Sequence, residues 1–360
     1  MKIAYISAKE DPNHSGVYKK IRSQIKGLER EGIEVDLIEN EELPRWKKIL
    51  PFSSRSYNWR EINIPNDADA IYIRYQLSDY PFIKAIRRWK KENPRRNIIL
   101  EIPMFPYISE LEAISNKLTL LRDKIYSRYI YKYVDRIVTF TSHEEILGVE
   151  TIPMVNGIEV DKVEEKKYVK NDNSINIIAV ALVNFSHGYD RLIEGIGKYY
   201  EAPGEKRNII FHLVGDGDVL PKLRKLAKER LIEDHVLFYG FRSGDELNHL
   251  YDIADIGVDV LGGHRKGDVW FGTLKSREYL SKGLPFITEY SLPSELDPIK
   301  QYILKVPDND SPIVIDDVIE FYNSLDKENV VLNMRKFAKN YCDVSVVMKP
   351  LVNYLKGVKK

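Results

Sequence analysis

The sequence predicts an α/β protein made of two parallel-sheet domains in tandem, and three observations carry that prediction. Short apolar runs alternate with amphipathic helical stretches along most of the chain. The alternation stops once, after Asn156-Gly157, in a polar stretch containing Lys162-Val163-Glu164-Glu165-Lys166-Lys167, and then restarts. The 360 residues also exceed what one ordinary core accommodates. Apolar strands separated by helices imply sheets covered on both faces. The expected division is 1–165 and 166–360, with the last helix able to pack back on the first domain.

In the first domain, strands are expected at 2–6, 34–38, 70–75, 97–102, 136–140 and 151–155, with helices at 17–30, 81–92 and 110–134. In the second, strands are expected at 175–182, 208–214, 235–239, 256–261 and 285–289, and helices at 312–325, 330–341 and 345–357. Ligands of doubly wound sheets bind beyond the carboxyl ends of strands, so site residues should follow strands.

Hydrophobic residues at 43% and charged residues at 30% fit a soluble globular protein, and a net charge of +1 argues against a dedicated nucleic-acid binder. The charge is uneven. Residues 45–136 hold 19 Lys/Arg and 10 Asp/Glu, an excess of +9, whereas residues 1–44 hold 7 and 9. The single Cys342 excludes an intrachain disulfide framework and fits a reducing compartment. No apolar run approaches the roughly 18 residues of a spanning helix. Met1-Lys2-Ile3-Ala4-Tyr5-Ile6-Ser7 reads as a first strand, not a signal peptide, so a cytoplasmic location is expected.

The richest stretch lies between the apolar runs 256–261 and 285–289. His264-Arg265-Lys266-Gly267 precedes Gly272-Thr273-Leu274-Lys275, which opens a helix carrying Glu278 and ending at Gly283 and Pro285. A cationic loop at a helix N-terminus suits an anion such as a diphosphate. Glu278, three residues beyond Lys275, could accept hydrogen bonds from a ribose diol. Diphosphate plus ribose means a nucleotide. His187 and Arg191, four apart after the strand 175–182, are further ligand candidates, with Ser186 as the helix cap; a loop histidine and a surface cation are the alternative. Gly215-Asp216-Gly217-Asp218 allows a tight strand-to-helix turn, for which structural punctuation is the simpler reading. Asp67-Ala68-Asp69, Asp216-Gly217-Asp218 and Asp308-Asn309-Asp310 occur at chance frequency and read as turns, so no essential metal is expected. No Gly-x-Ser-x-Gly elbow, phosphate loop or zinc spacing is present.

In the first domain Gly16, Arg74, Glu101 and Tyr107 follow or end strands and could jointly line an acceptor pocket; a simple Arg74–Glu101 pair is the alternative. Lys124, Arg128 and Lys132 recur every four residues. With Trp46-Lys47-Lys48 and Arg87-Arg88-Trp89-Lys90-Lys91 they make a basic, aromatic surface that can dock on anionic lipid or serve only as a solvated face.

Several of these motifs occur together in a known family. Gly16, Asn156-Gly157-Ile158, His187-Gly188-Tyr189-Asp190-Arg191, Val214-Gly215-Asp216-Gly217, Tyr239-Gly240-Phe241 and Lys275-Ser276-Arg277-Glu278-Tyr279 up to Gly283-Leu284-Pro285 resemble bacterial glycosyltransferases of the GT-B fold, family 4, of the capsule and exopolysaccharide type. The resemblance implies two Rossmann-like domains facing a cleft, a nucleotide-sugar donor on the second and a glycan or polyprenol-linked acceptor on the first. It implies retention at the anomeric carbon; no cofactor, metal or nucleic-acid partner is expected. Glu278 matches the ribose-binding Glu of the family's Glu-x7-Glu motif; Gly240 and Phe241 would lie by the base, and Gly272, Thr273 and Leu274 by sugar and phosphates. The chain departs from the pattern at Trp270, where the first Glu of the motif should stand, and at His187, which replaces a phosphate-binding Lys. The leaving diphosphate is therefore assigned to Lys275 and Arg265, with Lys266 and Arg191 in reserve. A catalytically inactive homologue acting as a binding subunit, or a nucleotide-sugar epimerase of the same fold, are the rival readings.

Overall fold

The computed structural model describes residues 1–9, 16–40, 57–107, 117–167, 174–266, 272–292 and 294–357; for residues 16, 117–119 and 266 it describes the backbone alone. The chain forms two compact units, Met1–Gly157 with Val344–Lys360, and Ile158–Asp343. The division thus falls ahead of the expected 165/166, and the C-terminal segment belongs with the first unit.

The first unit is a seven-stranded sheet in the order β2-β1-β3-β4-β5-β7-β6. Its strands are β1 (Lys2–Ala8), β2 (Glu34–Asn40), β3 (Ala70–Arg74), β4 (Asn97–Ile102), β5 (Arg136–Thr139), β6 (Glu145–Ile146) and β7 (Val149–Pro153). Only the β6–β7 pair is antiparallel. β4 shows why the sheet is covered on both sides. Ile98, Leu100 and Ile102 enter a core with Trp59, Phe82, Ile86 and Trp89, while Ile99 enters another with Ile3, Tyr5, Ile21 and Leu28. The second core also takes Val344, Leu351, Val352 and Leu355 from α10 (Val344–Val347) and α11 (Lys349–Leu355), and Met348 between them. Their three- and four-residue spacing is that of one helical face.

Around this sheet, α1 spans Gly16–Arg30 and α2 spans Tyr80–Glu92. α2 begins where the Asp79 carboxylate accepts the Phe82 N–H at 2.8 Å, with Pro81 in the first turn. Its buried stripe is Phe82, Ala85, Ile86 and Trp89. Of the helix expected over 110–134, residues 110–116 lie outside the described residues. α3 covers Lys117–Tyr126 and tightens into a 3-10 turn, Ser127–Lys132, whose buried residues Ser127 and Ile130 stand three apart, the period of that turn. Lys124, Arg128 and Lys132 therefore do not share one α-helical stripe.

The second unit is a six-stranded, wholly parallel sheet in the order β10-β9-β8-β11-β12-β13. Its strands are β8 (Ser174–Val180), β9 (Asn208–Val214), β10 (Val236–Gly240), β11 (Ile256–Val258), β12 (Phe286–Thr288) and β13 (Ile303–Lys305). α4 (Tyr189–Glu201), α5 (Leu220–Glu229), α6 (Gly244–Ile253), α7 (Leu274–Lys282), α8 (Ile315–Ser324) and α9 (Val330–Tyr341) pack on its two faces. β6 and β13 were not expected. They have two and three residues, too few to show a period. Among its parallel strands each sheet reverses its strand order once, between β1 and β3 and between β8 and β11. The carboxyl ends at these reversals form the crevices where such sheets bind ligands.

Candidate functional site

At the β8/β11 reversal the chain leaves β8 through a 3-10 turn, Phe185–His187, and leaves β11 through Asp259 toward a second turn, Gly263–Lys266. The two loops touch through backbone. A Cβ on Gly188, whose φ is +66°, would lie 2.4 Å from the Gly262 nitrogen, so only glycine lets them meet. Asn184, rather than Ser186, caps the first turn: its side chain accepts the Ser186 N–H at 3.1 Å, and His187 Nδ1 accepts the Asn184 N–H at 3.0 Å. The His187 ring stacks on Tyr189 with centroids 5.3 Å apart.

His187 and Arg191 do not share a helix face, because Gly188 separates the 3-10 turn from α4. Arg191 is instead buried. It donates to the carbonyls of Leu261, Pro307 (2.8 Å) and Ser311 (2.7 Å), and its Nη1 lies 3.2 Å from the Glu289 carboxylate. Four fixed acceptors make it a bolt for the loops that follow β11, β12 and β13. Arg265 is similarly committed. Its guanidinium meets Asp190 through two bonds of 2.7 and 2.8 Å, reaches Asp310 at 2.7 Å, and lies over the Phe185 ring. Hydrogen bonds to Asp190 and Asp310 push its pKa upward against burial. His264 completes this cluster, its two ring nitrogens 2.9 Å from Glu289 and 3.1 Å from Asp310.

Lys275 sits in the first turn of α7, where the helix dipole is positive. Its Nζ donates to the Asp259 carbonyl at 2.8 Å and to the Tyr189 hydroxyl at 3.2 Å. Thr273 caps α7, accepting the Ser276 N–H at 3.1 Å while its hydroxyl donates to the Asp259 carboxylate at 2.5 Å. Asp259 is fully buried; burial pushes its pKa up, and the nearby Lys275 charge opposes that rise. Gly272 precedes the cap with φ +131°, and Leu274 is exposed. Glu278 lies one turn further, half-buried beside Tyr251, whose hydroxyl is pushed well up by burial and by the Glu278 charge. Gly272, Thr273 and Lys275 thus stand at the N-terminal end of α7, and Glu278 lies mid-helix on the Tyr251 side. The Lys266 side chain and Trp270 lie outside the described residues.

Gly215 serves packing: a Cβ there would meet the Ala181 carbonyl oxygen at 1.9 Å. Gly240 ends β10 in open space, followed by an exposed Phe241. Among the described residues no three His, Cys, Asp or Glu side chains converge as metal ligands. Asp67 and Asp310, each from an Asp-x-Asp match, pair with Lys2 and Arg265. Asp259, Tyr189 and Glu289 escaped the sequence reading. A lone carboxylate inside the apolar run 256–261 was the available signal for the first.

At the β1/β3 reversal of the first unit, Arg74 and Glu101 are register partners on β3 and β4. Glu101 is fully buried and accepts four donors: Arg74 Nη1 (2.9 Å), Lys20 Nζ (3.2 Å), the Tyr72 hydroxyl (2.6 Å) and Gln24 Nε2 (2.9 Å). Burial alone would raise its pKa, but Lys20, Arg74 and the hydrogen bonds bring it down to about 2. Burial lowers Lys20 to about 8 despite Glu101, and its Nζ sits 3.7 Å over the Phe140 ring. Glu101 is therefore saturated and holds the two cations in place. Tyr107 is tied to Asp123 at 2.6 Å, as is Tyr75. Gly16 begins α1, and residues 10–15 before it lie outside the described residues.

Residues 160–258 match the family model described as glycosyl transferases group 1. Solved structures resemble nearly the whole chain. Sucrose-phosphate synthase from Thermosynechococcus elongatus is 16% identical with a TM-score of 0.63, covering 99% of this chain and 100% of that one. HepE from Anabaena, in complex with UDP, is 14% identical with a TM-score of 0.66 over 99% and 100%. The lipopolysaccharide outer core galactosyltransferase WaaB, in apo form, is 16% identical with a TM-score of 0.61 over 99% of each chain. No curated protein sequence matches. Two Rossmann-like parallel sheets and these neighbours establish the GT-B fold, and with the family match on the second unit they support a GT-B glycosyltransferase.

Proposed function

We propose that the chain transfers a hexose from a nucleoside-diphosphate sugar to a hydroxyl of a glycan or polyprenol-linked acceptor, in cell-surface polysaccharide synthesis. The observation that carries this reading is the start of α7 at the β8/β11 reversal, with Lys275 in its first turn and Glu278 one turn on. HepE, of the same fold, is described with UDP and with UDP-glucose. Breaking the sugar–diphosphate bond builds negative charge on the leaving diphosphate. The α7 N-terminus and the Lys275 ammonium stabilise that charge, and Glu278 holds the ribose. Arg265 and Arg191 act indirectly, by fixing the loops that shape the crevice. No metal is assigned, and the first unit takes the acceptor near Arg74. Retention follows the family resemblance, with the leaving phosphate receiving the acceptor proton. The first unit also meets an anionic membrane surface, through the basic excess in 45–136. Among the described residues no helix is long and apolar enough to cross a membrane.

Calorimetry with uridine, guanosine and adenosine diphosphates, then turnover of the matching sugars with and without EDTA, tests the reading. One diphosphate should bind and its sugar should be consumed, undiminished by the chelator. Loss of turnover in EDTA restored by manganese or magnesium would remove the metal-free assignment. A second reading, an inactive homologue serving as a binding subunit, is favoured by the commitment of Arg191 and Arg265 to carboxylates. It requires that no nucleotide sugar be turned over.

A further inference from the structure

The first unit also carries a groove of about 980 Å³ between α2 and the segment 126–133. Tyrosines form much of its wall: Tyr80, Tyr126, Tyr129 and Tyr133. Lys84, Arg87, Arg88, Lys91 and Lys132 line it, against a single carboxylate, Glu92. Arg88 lies 3.7 Å from Glu92, and the Lys132 ammonium sits over the Tyr129 and Tyr131 rings. Lys84, Arg87 and Lys91 are exposed and have no ion-pair partner among the described residues. The segment that supplies Tyr126 and Tyr129 also exposes Leu121 (54%) and Ile125 (46%), two apolar side chains four residues apart on α3. Exposed cations, aromatic walls and two exposed apolar side chains on the adjoining helix together match an amphiphile, with a charged head and an apolar chain.

We propose that this groove binds the phosphate head of one anionic membrane phospholipid, with its glycerol and upper acyl chain against the tyrosines. The proposal rests on the reading that the first unit meets an anionic membrane, and it replaces diffuse adsorption by a stoichiometric site. Basic grooves with aromatic walls also hold single-stranded nucleic acid by stacking. The near-neutral chain and the exposed Leu121 and Ile125, which a nucleic acid would not use, favour the lipid.

The test is calorimetry on the full chain with short-chain phosphatidylglycerol below its micelle concentration. Controls are short-chain phosphatidylcholine, inorganic phosphate and an oligothymidylate. Sedimentation with phosphatidylcholine vesicles, with and without phosphatidylglycerol, runs in parallel. Saturable one-to-one binding of the anionic lipid, well above the three controls, is expected. At about fivefold per cation near an anionic surface, Lys84→Ser, Arg87→Ser and Lys91→Ser together should weaken it about a hundredfold. All three residues are exposed, so the thermal midpoint should hold. Glu92→Lys should instead tighten binding severalfold, a gain that misfolding cannot mimic. Equal binding of phosphate, preference for the oligonucleotide, or indifference to both sets of substitutions would overturn the proposal. If vesicles bind but the monomeric lipid does not, the groove is wrong and the membrane reading stands. If the monomeric lipid binds but vesicles do not, the groove stands and the membrane reading fails.

Discussion

The two strand-order reversals solve the same electrostatic problem in opposite ways. At β1/β3 one carboxylate, Glu101, is shared by two cations, Lys20 and Arg74, so the buried cluster keeps an excess positive charge. At β8/β11 the arginines are matched or outnumbered: Arg265 lies between Asp190 and Asp310, and Arg191 faces Glu289. A cation closed into ion pairs contributes order to a loop and little field to a ligand. The first crevice therefore presents net positive charge built into strands and a helix. The second spends its arginines on holding its loops, so under the proposed function the anion falls to Lys275 and the α7 terminus.

The largest effect should come from the closed pairs. Arg191→Leu leaves the buried Glu289 with His264 alone and removes the donor from three carbonyls; breaking such a pair costs about 3–5 kcal/mol. A large drop in the urea midpoint of the second unit's transition is expected. Retention of the wild-type midpoint would mean that Arg191 is no bolt and would return it to the ligand candidates.

Next comes the first crevice, through pH. Glu101 has its pKa lowered, so its contribution is full above the ordinary carboxylate range and is lost as pH falls toward about 2. A depression of this size corresponds to about 3 kcal/mol. Lys20 is lowered to about 8, so stability should also rise as pH climbs from there toward the ordinary lysine value, because the buried amine sheds its proton in the folded state first. Acid unfolding followed through the emission of the buried Trp59 and Trp89 reads the first unit. Glu101→Gln should flatten that acid limb; an unchanged limb would break the contrast between the crevices.

Much of this architecture was legible because a short run dominated by apolar, mostly β-branched residues leaves few alternatives, as in Asn97–Ile102, with Ile98, Ile99, Leu100 and Ile102. What escaped did so for physical reasons. β6 is joined to β7 by Leu147-Gly148, both at positive φ, and only the glycine advertises that turn. The α7 motif was readable because cap, first-turn cation and Glu278 are local in sequence. Arg191 was misplaced because its Glu289 partner is 98 residues away, and because Gly188 breaks the helix that a four-residue spacing presumes. Lys20 was overlooked because its partner Glu101 is likewise remote in sequence, and one turn of α1 beyond Gly16 gives no hint of burial. Long-range pairing decides whether a cation is a ligand or a bolt, and pattern reading does not see it.

Lys275→Ala tests whether the second crevice depends on this lysine. Hydrogen bonds to charged groups contribute about 1.5–3 kcal/mol, or roughly 10- to 100-fold. Diphosphate affinity should fall by that factor and kcat should fall with it, while nucleoside binding holds. Arg265→Gln should lower the thermal midpoint more than it lowers diphosphate affinity. The reverse pattern, with Arg265 dominating the affinity, would return Arg265 to the diphosphate ligands.

The smallest expected effect separates the two ends of the α7 site. Glu278→Gln keeps the shape and the acceptor oxygen but removes the charge. A charge-assisted bond is roughly twice as strong as a neutral one. At about 1 kcal/mol for a neutral bond, the loss is about fivefold. Because Glu278 lies a turn beyond Lys275, on the side of Tyr251 rather than of Asp259, its loss should fall equally on nucleoside, monophosphate and diphosphate. Lys275→Ala should grade across the same three ligands. The removed charge also stops raising the Tyr251 hydroxyl, so that group should titrate lower than in the unaltered chain. A uniform fivefold loss with that shift places the ribose at Glu278. A loss confined to the diphosphate would move the phosphates there and exchange the roles of the two residues.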